Sequence, residues 1–147
     1  MKIFQSLIIA LVAFVFINCN NAPQNASPTD VLKNFIEASK KKDVEAIKKT
    51  LSKGSLELAE KTAKQENTTV EERFKRDNPM MPDEIPETRN ERIEGDAASV
   101  EVKDRTGGYD TIPFVRENGA WKIAFDKYQQ MMMDKMRDEM KMPAPNL

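Results

Sequence analysis

Few side chains in this sequence could carry out covalent or acid–base chemistry. The chain contains no histidine and a single cysteine, Cys19, which excludes Ser-His-Asp and Cys-His nucleophilic pairs. Zinc sites built from histidine and cysteine are excluded for the same reason. A carboxylate base working with a tyrosine donor remains chemically possible. The candidates for these two roles are Asp110, Asp126, Tyr109 and Tyr128.

These four residues do not form a recognisable active-site motif. Asp126 follows Phe125 in a predicted strand, and neighbouring strand side chains point to opposite faces. Because Phe125 is expected to point inward, Asp126 should point outward. Asp110 lies close to a turn predicted at Gly107-Gly108. We therefore predict that the protein is not an enzyme and uses no cofactor, with a carboxylate-based enzyme as the alternative.

Thioether sulfur is the other source of possible chemistry. The segment DKYQQMMMDKMRDEMKMPAP, residues 126–145, opens with a capping-box pattern from Asp126 to Gln129. Its prolines at 143 and 145 forbid continuation, so the residues between are predicted to be helical. One face of that helix would carry Tyr128, Met132, Met133, Met136 and Met140.

This methionine face has three interpretations. It could pack on the domain or fill the mouth of a pocket, because methionine side chains are flexible and polarizable. It could present an adaptable surface to a partner protein. In the third interpretation Met133, Met136 and Met140 supply three thioethers to Cu(I), the soft ion that such ligands select.

The N-terminal segment indicates export. Lys2 precedes an apolar run, LIIALVAFVFI at residues 7–17, which is shorter than the roughly 20 residues of a spanning helix and typical of a signal peptide. The tetrapeptide FINC, residues 16–19, resembles the lipobox of bacterial lipoproteins, whose cysteine is acylated and becomes the first mature residue. The common form has Leu at its first position and Gly, Ala or Ser before the cysteine. This resemblance implies that Cys19 is lipidated.

The chain is expected to divide into four parts. These are a signal peptide (1–18), the lipidated cysteine with a flexible tether (19–28), a folded domain (29–126), and a C-terminal helix and tail (127–147). The expected location is the bacterial cell envelope, periplasmic or surface-exposed, with the N-terminal lipid in the membrane. A net charge of −1 gives no basic excess for a nucleic-acid partner. The remaining partner is an unidentified ligand or envelope protein.

The first half of the folded domain has helical patterns. Ser27 is the predicted N-cap of the first helix, and Asp43 starts a second helix that Gly54 ends. Ser55 is the predicted cap of a third helix. The sequence Thr69-Val-Glu-Glu72 is a capping box for a short fourth helix.

Alternating patterns typical of half-buried strands follow. ASVEV at residues 98–102 alternates, Gly107-Gly108 permits a reversal, and a strand at 112–116 leads into Asn118-Gly119, a strong hairpin signal. The returning strand places Trp121, Ile123 and Phe125 on one face, and a further strand is expected at 89–94. The predicted fold class is α+β, with N-terminal helices packed on a curled antiparallel sheet of three to four strands, plus a C-terminal Met-rich helix.

Three segments resemble small lipoprotein domains of unknown function in the nuclear transport factor 2-like superfamily. They are PTDVLKNFIEASKKKDVEAIKKTLS (28–52), ASVEV (98–102) and ENGAWKI (117–123). The resemblance implies that the sheet curls into a cone, whose wide end is a pocket for a ligand, for a partner protein, or for isomerase or dehydratase chemistry.

None of the three segments is a catalytic motif. We therefore predict a non-catalytic ligand- or protein-binding module, with a small isomerase- or dehydratase-like enzyme as the alternative. The residues expected in the pocket or core are Phe35, Ile36, Val100, Phe114, Trp121, Ile123 and Phe125.

Overall fold

The computed structural model describes residues 26–76, 82 and 84–141. The predicted signal peptide, Cys19 and most of its tether therefore lie outside the described residues, as do residues 142–147. The elements in chain order are helices α1 (Pro28–Lys41), α2 (Val44–Thr50), α3 (Lys53–Gln65) and α4 (Val70–Lys75), strands β1 (Thr88–Glu94), β2 (Ala97–Lys103), β3 (Tyr109–Glu117) and β4 (Ala120–Ile123), and helix α5 (Phe125–Lys141). Helices followed by an antiparallel sheet confirm the α+β class.

Three of the predicted helix starts are confirmed by their caps. At α1 the Ser27 hydroxyl accepts a hydrogen bond from the Asp30 backbone N–H at 3.1 Å, and the Asp30 carboxylate accepts one from the Ser27 N–H. Asp43 caps α2, and the Thr69 hydroxyl accepts a bond from the Glu72 N–H to start α4. Each cap satisfies backbone donors that have no partner within the helix.

The predicted boundary between the second and third helices is wrong. Helix α2 ends at Thr50, Ser52 is the N-cap of α3, and Gly54 lies inside the first turn of α3 rather than between helices. The Ser52 hydroxyl accepts from the Ser55 N–H at 3.0 Å, while the Ser52 N–H donates to the Ile123 carbonyl. Because this second bond ties the connection to β4, a long-range contact fixes where α3 begins.

The sheet is an antiparallel meander in the order β1-β2-β3-β4. The predicted turn at Asn118-Gly119 is confirmed, and both residues have the positive φ angles (50° and 79°) that a type I′ hairpin turn requires. Ala98, Phe114 and Ile123 are register partners on neighbouring strands, and all three are buried. One face of the sheet is therefore the apolar face.

The end of the sheet departs from the prediction. Strand β4 stops at Ile123, and Phe125 is the first residue of α5, so Phe125 is not a strand residue and Asp126 does not start a capping box. The Phe125 N–H donates to the Ser55 hydroxyl at 2.7 Å, and the Ala124 N–H donates to the Pro113 carbonyl at 2.9 Å. These long-range bonds take the chain out of the sheet.

Helix α1 covers the apolar face of the sheet. It contacts β4, β2 and β1 and places its apolar stripe against buried strand residues. The buried core is Val31, Leu32, Ile36, Ala38, Ile47, Leu51, Ala98, Val100, Phe114, Trp121 and Ile123. Burial of such side chains stabilises the fold by about 1.5–3 kcal/mol for each large residue.

Candidate functional site

An open apolar groove lies among the helices, beside the core. Its volume is about 360 Å³, within the range of about 300–1,000 Å³ that is usual for ligand pockets. Four helices, α1, α3, α4 and α5, and the connection between α2 and α3 contribute its lining. The lining residues are Phe35, Leu51, Ser55, Leu58, Ala59, Thr62, Arg73, Phe74, Phe125 and Gln129.

Each wall of the groove comes from a different helix. The rings of Phe35 on α1 and Phe125 on α5 meet edge to face, with centroids 5.4 Å apart. Leu58 on α3 faces the same space, and Phe74 on α4 closes the far side. All four side chains are only half-buried, so the groove has an aromatic and aliphatic surface that solvent can reach.

Two of the polar side chains at the groove, Arg73 and Thr62, already have partners within the protein. Arg73 forms a hydrogen-bonded ion pair with Glu66. The hydrogen bond from Arg73 is the main reason that the pKa of Glu66 lies below its ordinary value. The Thr62 hydroxyl donates to the Leu58 carbonyl at 2.8 Å. Since these groups are engaged, the groove offers mainly shape and apolar surface to a ligand.

A hydrogen-bonded cluster of two serines and one aspartate lies at the base of the groove, where the first turns of α3 and α5 meet. The hydroxyls of Ser52 and Ser55 are 2.8 Å apart, and each lies 3.2 Å from Oδ1 of Asp126. Ser55 also lies 2.8 Å from the Ile123 carbonyl. Both serines are buried, and the Asp126 carboxylate beside them is shared between the two hydroxyls, so we assign the cluster a structural role.

The structure does not bring the four acid–base candidates together at one site. Tyr109 donates its hydroxyl proton to Glu87 at 2.8 Å, and its ring lies under the Arg89 guanidinium. Asp126 belongs to the serine cluster; it does not point out from a strand as predicted. None of the four candidates lines the groove.

Asp110 and Tyr128 are the two candidates that come close to each other. Burial of the Tyr128 side chain, followed by the negative charge of Asp110, raises the pKa of the tyrosine. Tyr128 is therefore a protonated hydroxyl at neutral pH. Neither residue lines the groove, so the pair does not face a molecule bound there.

The predicted pocket-or-core residues divide into two groups. Ile36, Val100, Phe114 and Ile123 are buried in the core, whereas Phe35 and Phe125 line the groove. Trp121 is buried and also borders a smaller cavity of about 160 Å³ between α1, α2 and β4. The groove residues that the sequence analysis did not select are Leu51, Ser55, Leu58, Ala59, Thr62, Arg73, Phe74 and Gln129.

A helical pattern could have indicated some of these missed residues. Leu58 and Thr62 are four residues apart on α3, and Phe74 is the large apolar residue of α4. Such spacing places side chains on one helix face, but it does not indicate which faces leave an open space between them.

The methionines of α5 differ in exposure. Met132 is half-buried, whereas Met133, Met136 and Met140 are 42%, 54% and 81% exposed. These three side chains are therefore not part of the buried core, and their packing on the domain is at most partial. Among the described residues, no group of three or more His, Cys, Asp or Glu side chains is arranged to hold a metal ion.

In comparisons with known proteins, no family model, no curated protein and no solved structure matches this chain. Within the described ranges, none of the helices combines the length and apolar character needed to cross a membrane.

Proposed function

We propose that this protein is a lipid-anchored envelope protein whose folded domain is a non-catalytic binding module. The binding site is the groove between the helices, and its occupant is an apolar ligand or an apolar segment of another envelope protein. The observation that carries the proposal is the groove itself, with a volume of about 360 Å³ and walls formed by Phe35, Leu58, Phe74 and Phe125. Clefts of this size with mainly apolar walls are typical small-ligand sites.

Binding is favoured over catalysis by the chemistry of the walls. The serine hydroxyls at the base of the groove are hydrogen-bonded to Asp126 and to backbone groups. A serine nucleophile usually transfers its proton to an adjacent base such as histidine. The chain has no histidine, and the Asp126 carboxylate is shared between the two buried serines. A carboxylate-based isomerase or dehydratase stays the alternative, and it would require Asp110 and Tyr128 to act outside the groove.

Two further parts of the proposal rest on sequence. Lipidation of Cys19 would hold the domain near its membrane, because helix α1 begins only nine residues later, at Pro28. The order of helices before a four-stranded meander, with α1 packed on the sheet, supports a small cone of the nuclear transport factor 2-like kind.

Site-specific photo-crosslinking in native membranes tests the groove as the binding site. A photoreactive phenylalanine analogue replaces Ala59, which lines the groove, and in a matched variant it replaces Thr111, which is exposed on β3. We expect irradiation to give an adduct of defined mass from position 59 and none from position 111.

A second substitution makes the crosslinking test specific. Leu58→Asp places a charge in the apolar wall, and it should remove the adduct formed from position 59 while the cooperative thermal transition is kept. Equal adducts from positions 59 and 111, no adduct from position 59, or an adduct that Leu58→Asp leaves unchanged would each contradict the proposal.

A further inference from the structure

The exposed methionines of α5 form a surface that is separate from the groove. Met133, Met136 and Met140 lie at positions i, i+3 and i+7 of one helix, so they lie on the same face. All three are at least 42% exposed, and Met140 is the most exposed large apolar side chain of the described residues, at 81%. Three accessible thioethers on one face require an explanation other than core packing.

The spacing allows the three sulfurs to meet. Met133 and Met136 are neighbours at i, i+3, and Met136 and Met140 are neighbours at i, i+4. The outer two residues are about 10 Å apart along the helix axis, with Met136 between them. Each side chain has three rotatable bonds and a polarizable sulfur, so the outer two sulfurs can lean toward Met136 from either side.

The donor set decides which ion would bind. Thioethers select soft ions such as Cu(I), whereas Mg²⁺, Ca²⁺ and Mn²⁺ prefer oxygen ligands. Asp134, a carboxylate within the same turns, is hydrogen-bonded to Arg137 at 2.9 Å and to Gln130 at 3.1 Å. This engaged carboxylate does not add a hard ligand to the methionine face.

Protein docking on this face alone is less well supported. Stable protein interfaces commonly use about 20–30 residues on each side, and the face offers three methionines. A soft ion, in contrast, needs only a few donor atoms. We propose that Met133, Met136 and Met140 form a three-thioether site for a soft monovalent ion, Cu(I), at the C-terminal end of α5.

Titration with Ag(I) tests the site, because Ag(I) is a soft monovalent ion that needs no reductant in the assay. The sample is the full-length chain with Cys19→Ala, in detergent, with its methionine methyl groups labelled with ¹³C. The Cys19 substitution removes the one cysteine, whose thiol would bind the ion in any chain that is not acylated. We expect the methyl signals of Met133, Met136 and Met140 to shift together and to saturate at one Ag(I) per chain.

Three comparisons make the titration decisive. Met136→Leu should weaken binding at least about tenfold, and the helix should stay intact, as circular dichroism can check, because leucine conserves helix propensity and nearly conserves volume. Met131→Leu is the matched control, since Met131 is 47% exposed but lies on another side of the helix. Zn²⁺ should shift none of the methyl signals.

The opposite results would overturn the proposal. A Met131 methyl group that shifts with the other three would indicate unspecific thioether binding. Unchanged affinity in Met136→Leu, or binding that survives replacement of all three methionines by leucine, would show that the ion is held elsewhere.

Discussion

At the scale of single residues, Trp121 is a large buried side chain whose loss should strongly destabilise the domain. Its side chain is 5% exposed, and the Arg116 guanidinium lies over its ring, 4.6 Å from the centroid. Truncation of a buried tryptophan usually costs about 3–5 kcal/mol, against a total stability of about 5–15 kcal/mol for a typical domain. We expect Trp121→Ala to abolish or broaden the cooperative thermal transition measured by far-ultraviolet circular dichroism.

Arg116→Ala is the control for the tryptophan substitution. It removes the cation above the ring and leaves the buried ring in place, so it should cost only about 0.5–1 kcal/mol. If Trp121→Ala melted like the wild type, the ring would contribute nothing to the core, and the assignment of the apolar face of β4 would be wrong.

Individual strand residues could be predicted from alternation, but only as far as the strand continued. The pattern identified Trp121 and Ile123 as inward-facing, and both are buried. The same pattern extended to Phe125 and Asp126 failed, because hydrogen bonds from Ala124 to Pro113 and from Phe125 to Ser55 take the chain into a helix. Alternation along a sequence contains no information about those distant partners.

At the scale of secondary-structure elements, the first turns of α3 and α5 are joined by the serine–aspartate cluster. Gly54, in the first turn of α3, leaves the space that the Asp126 carboxylate occupies. A β-carbon at position 54 would lie 2.5 Å from Oδ2 of Asp126, which is closer than nonbonded atoms approach. A side chain at this position would therefore have to displace the Asp126 carboxylate.

Gly54→Ala should consequently destabilise the protein, although the helix propensity of alanine exceeds that of glycine by about 1 kcal/mol. The added methyl group would displace Asp126 from Ser52 and Ser55, and buried hydroxyls that lose partners cost free energy. We expect a lower midpoint of chemical denaturation for Gly54→Ala than for the wild type.

The same substitution tested in a second background isolates the cause. In Asp126→Ala, the carboxylate is absent and Gly54→Ala should become neutral or stabilising, as helix propensity alone predicts. A destabilisation of equal size in both backgrounds would mean that Asp126 does not fill the space beside Gly54.

Among the elements, those with local signals were predictable and their junctions were not. The caps at Ser27, Asp43 and Thr69 and the turn at Asn118-Gly119 depend on residues a few positions apart, and all are present in the structure. The groove depends on how α1, α3, α4 and α5 stand relative to one another. That arrangement follows from packing across long sequence separations, which a linear pattern does not specify.

At the scale of the whole molecule, exposed ion pairs join distant elements and make stability depend on pH. Lys48 on α2 pairs with Glu71 on α4, which raises the pKa of Lys48 and lowers that of Glu71. On the sheet, the hydrogen bond from Arg89 likewise lowers the pKa of the Glu101 carboxyl. Hydrogen bonds to partners on other elements are the first cause in each case.

Acid should therefore destabilise the fold. A carboxyl whose pKa is lower in the folded state than its ordinary value of 4.5 contributes stability that is fully present above that value. The contribution is lost as the pH falls from about 4.5 through the lowered folded-state pKa. We expect the melting temperature to fall progressively below about pH 4.5.

A charge-free variant of one pair provides the control for the acid effect. The variant carries both Lys48→Met and Glu71→Gln. Its melting temperature should fall less than that of the wild type when the pH is lowered below 5. High salt should reduce the contribution of these exposed pairs at neutral pH. If the melting temperature fell equally in the variant and the wild type below pH 5, the α2–α4 pair would not contribute to the acid sensitivity.

At the same scale, the proposed attachment to a membrane would decide where the groove operates. If Cys19 is acylated, each methylene group inserted in the bilayer contributes about 0.8 kcal/mol, and several acyl chains make attachment effectively permanent. We expect Cys19→Ala to lose the acyl mass and either to leave the membrane fraction or to keep its signal peptide uncut. Asn20→Ala, one residue further along the chain, keeps the cysteine and should behave as the wild type. Unchanged mass and unchanged detergent partitioning in Cys19→Ala would contradict the lipid anchor, and the domain would then need another means of reaching the membrane.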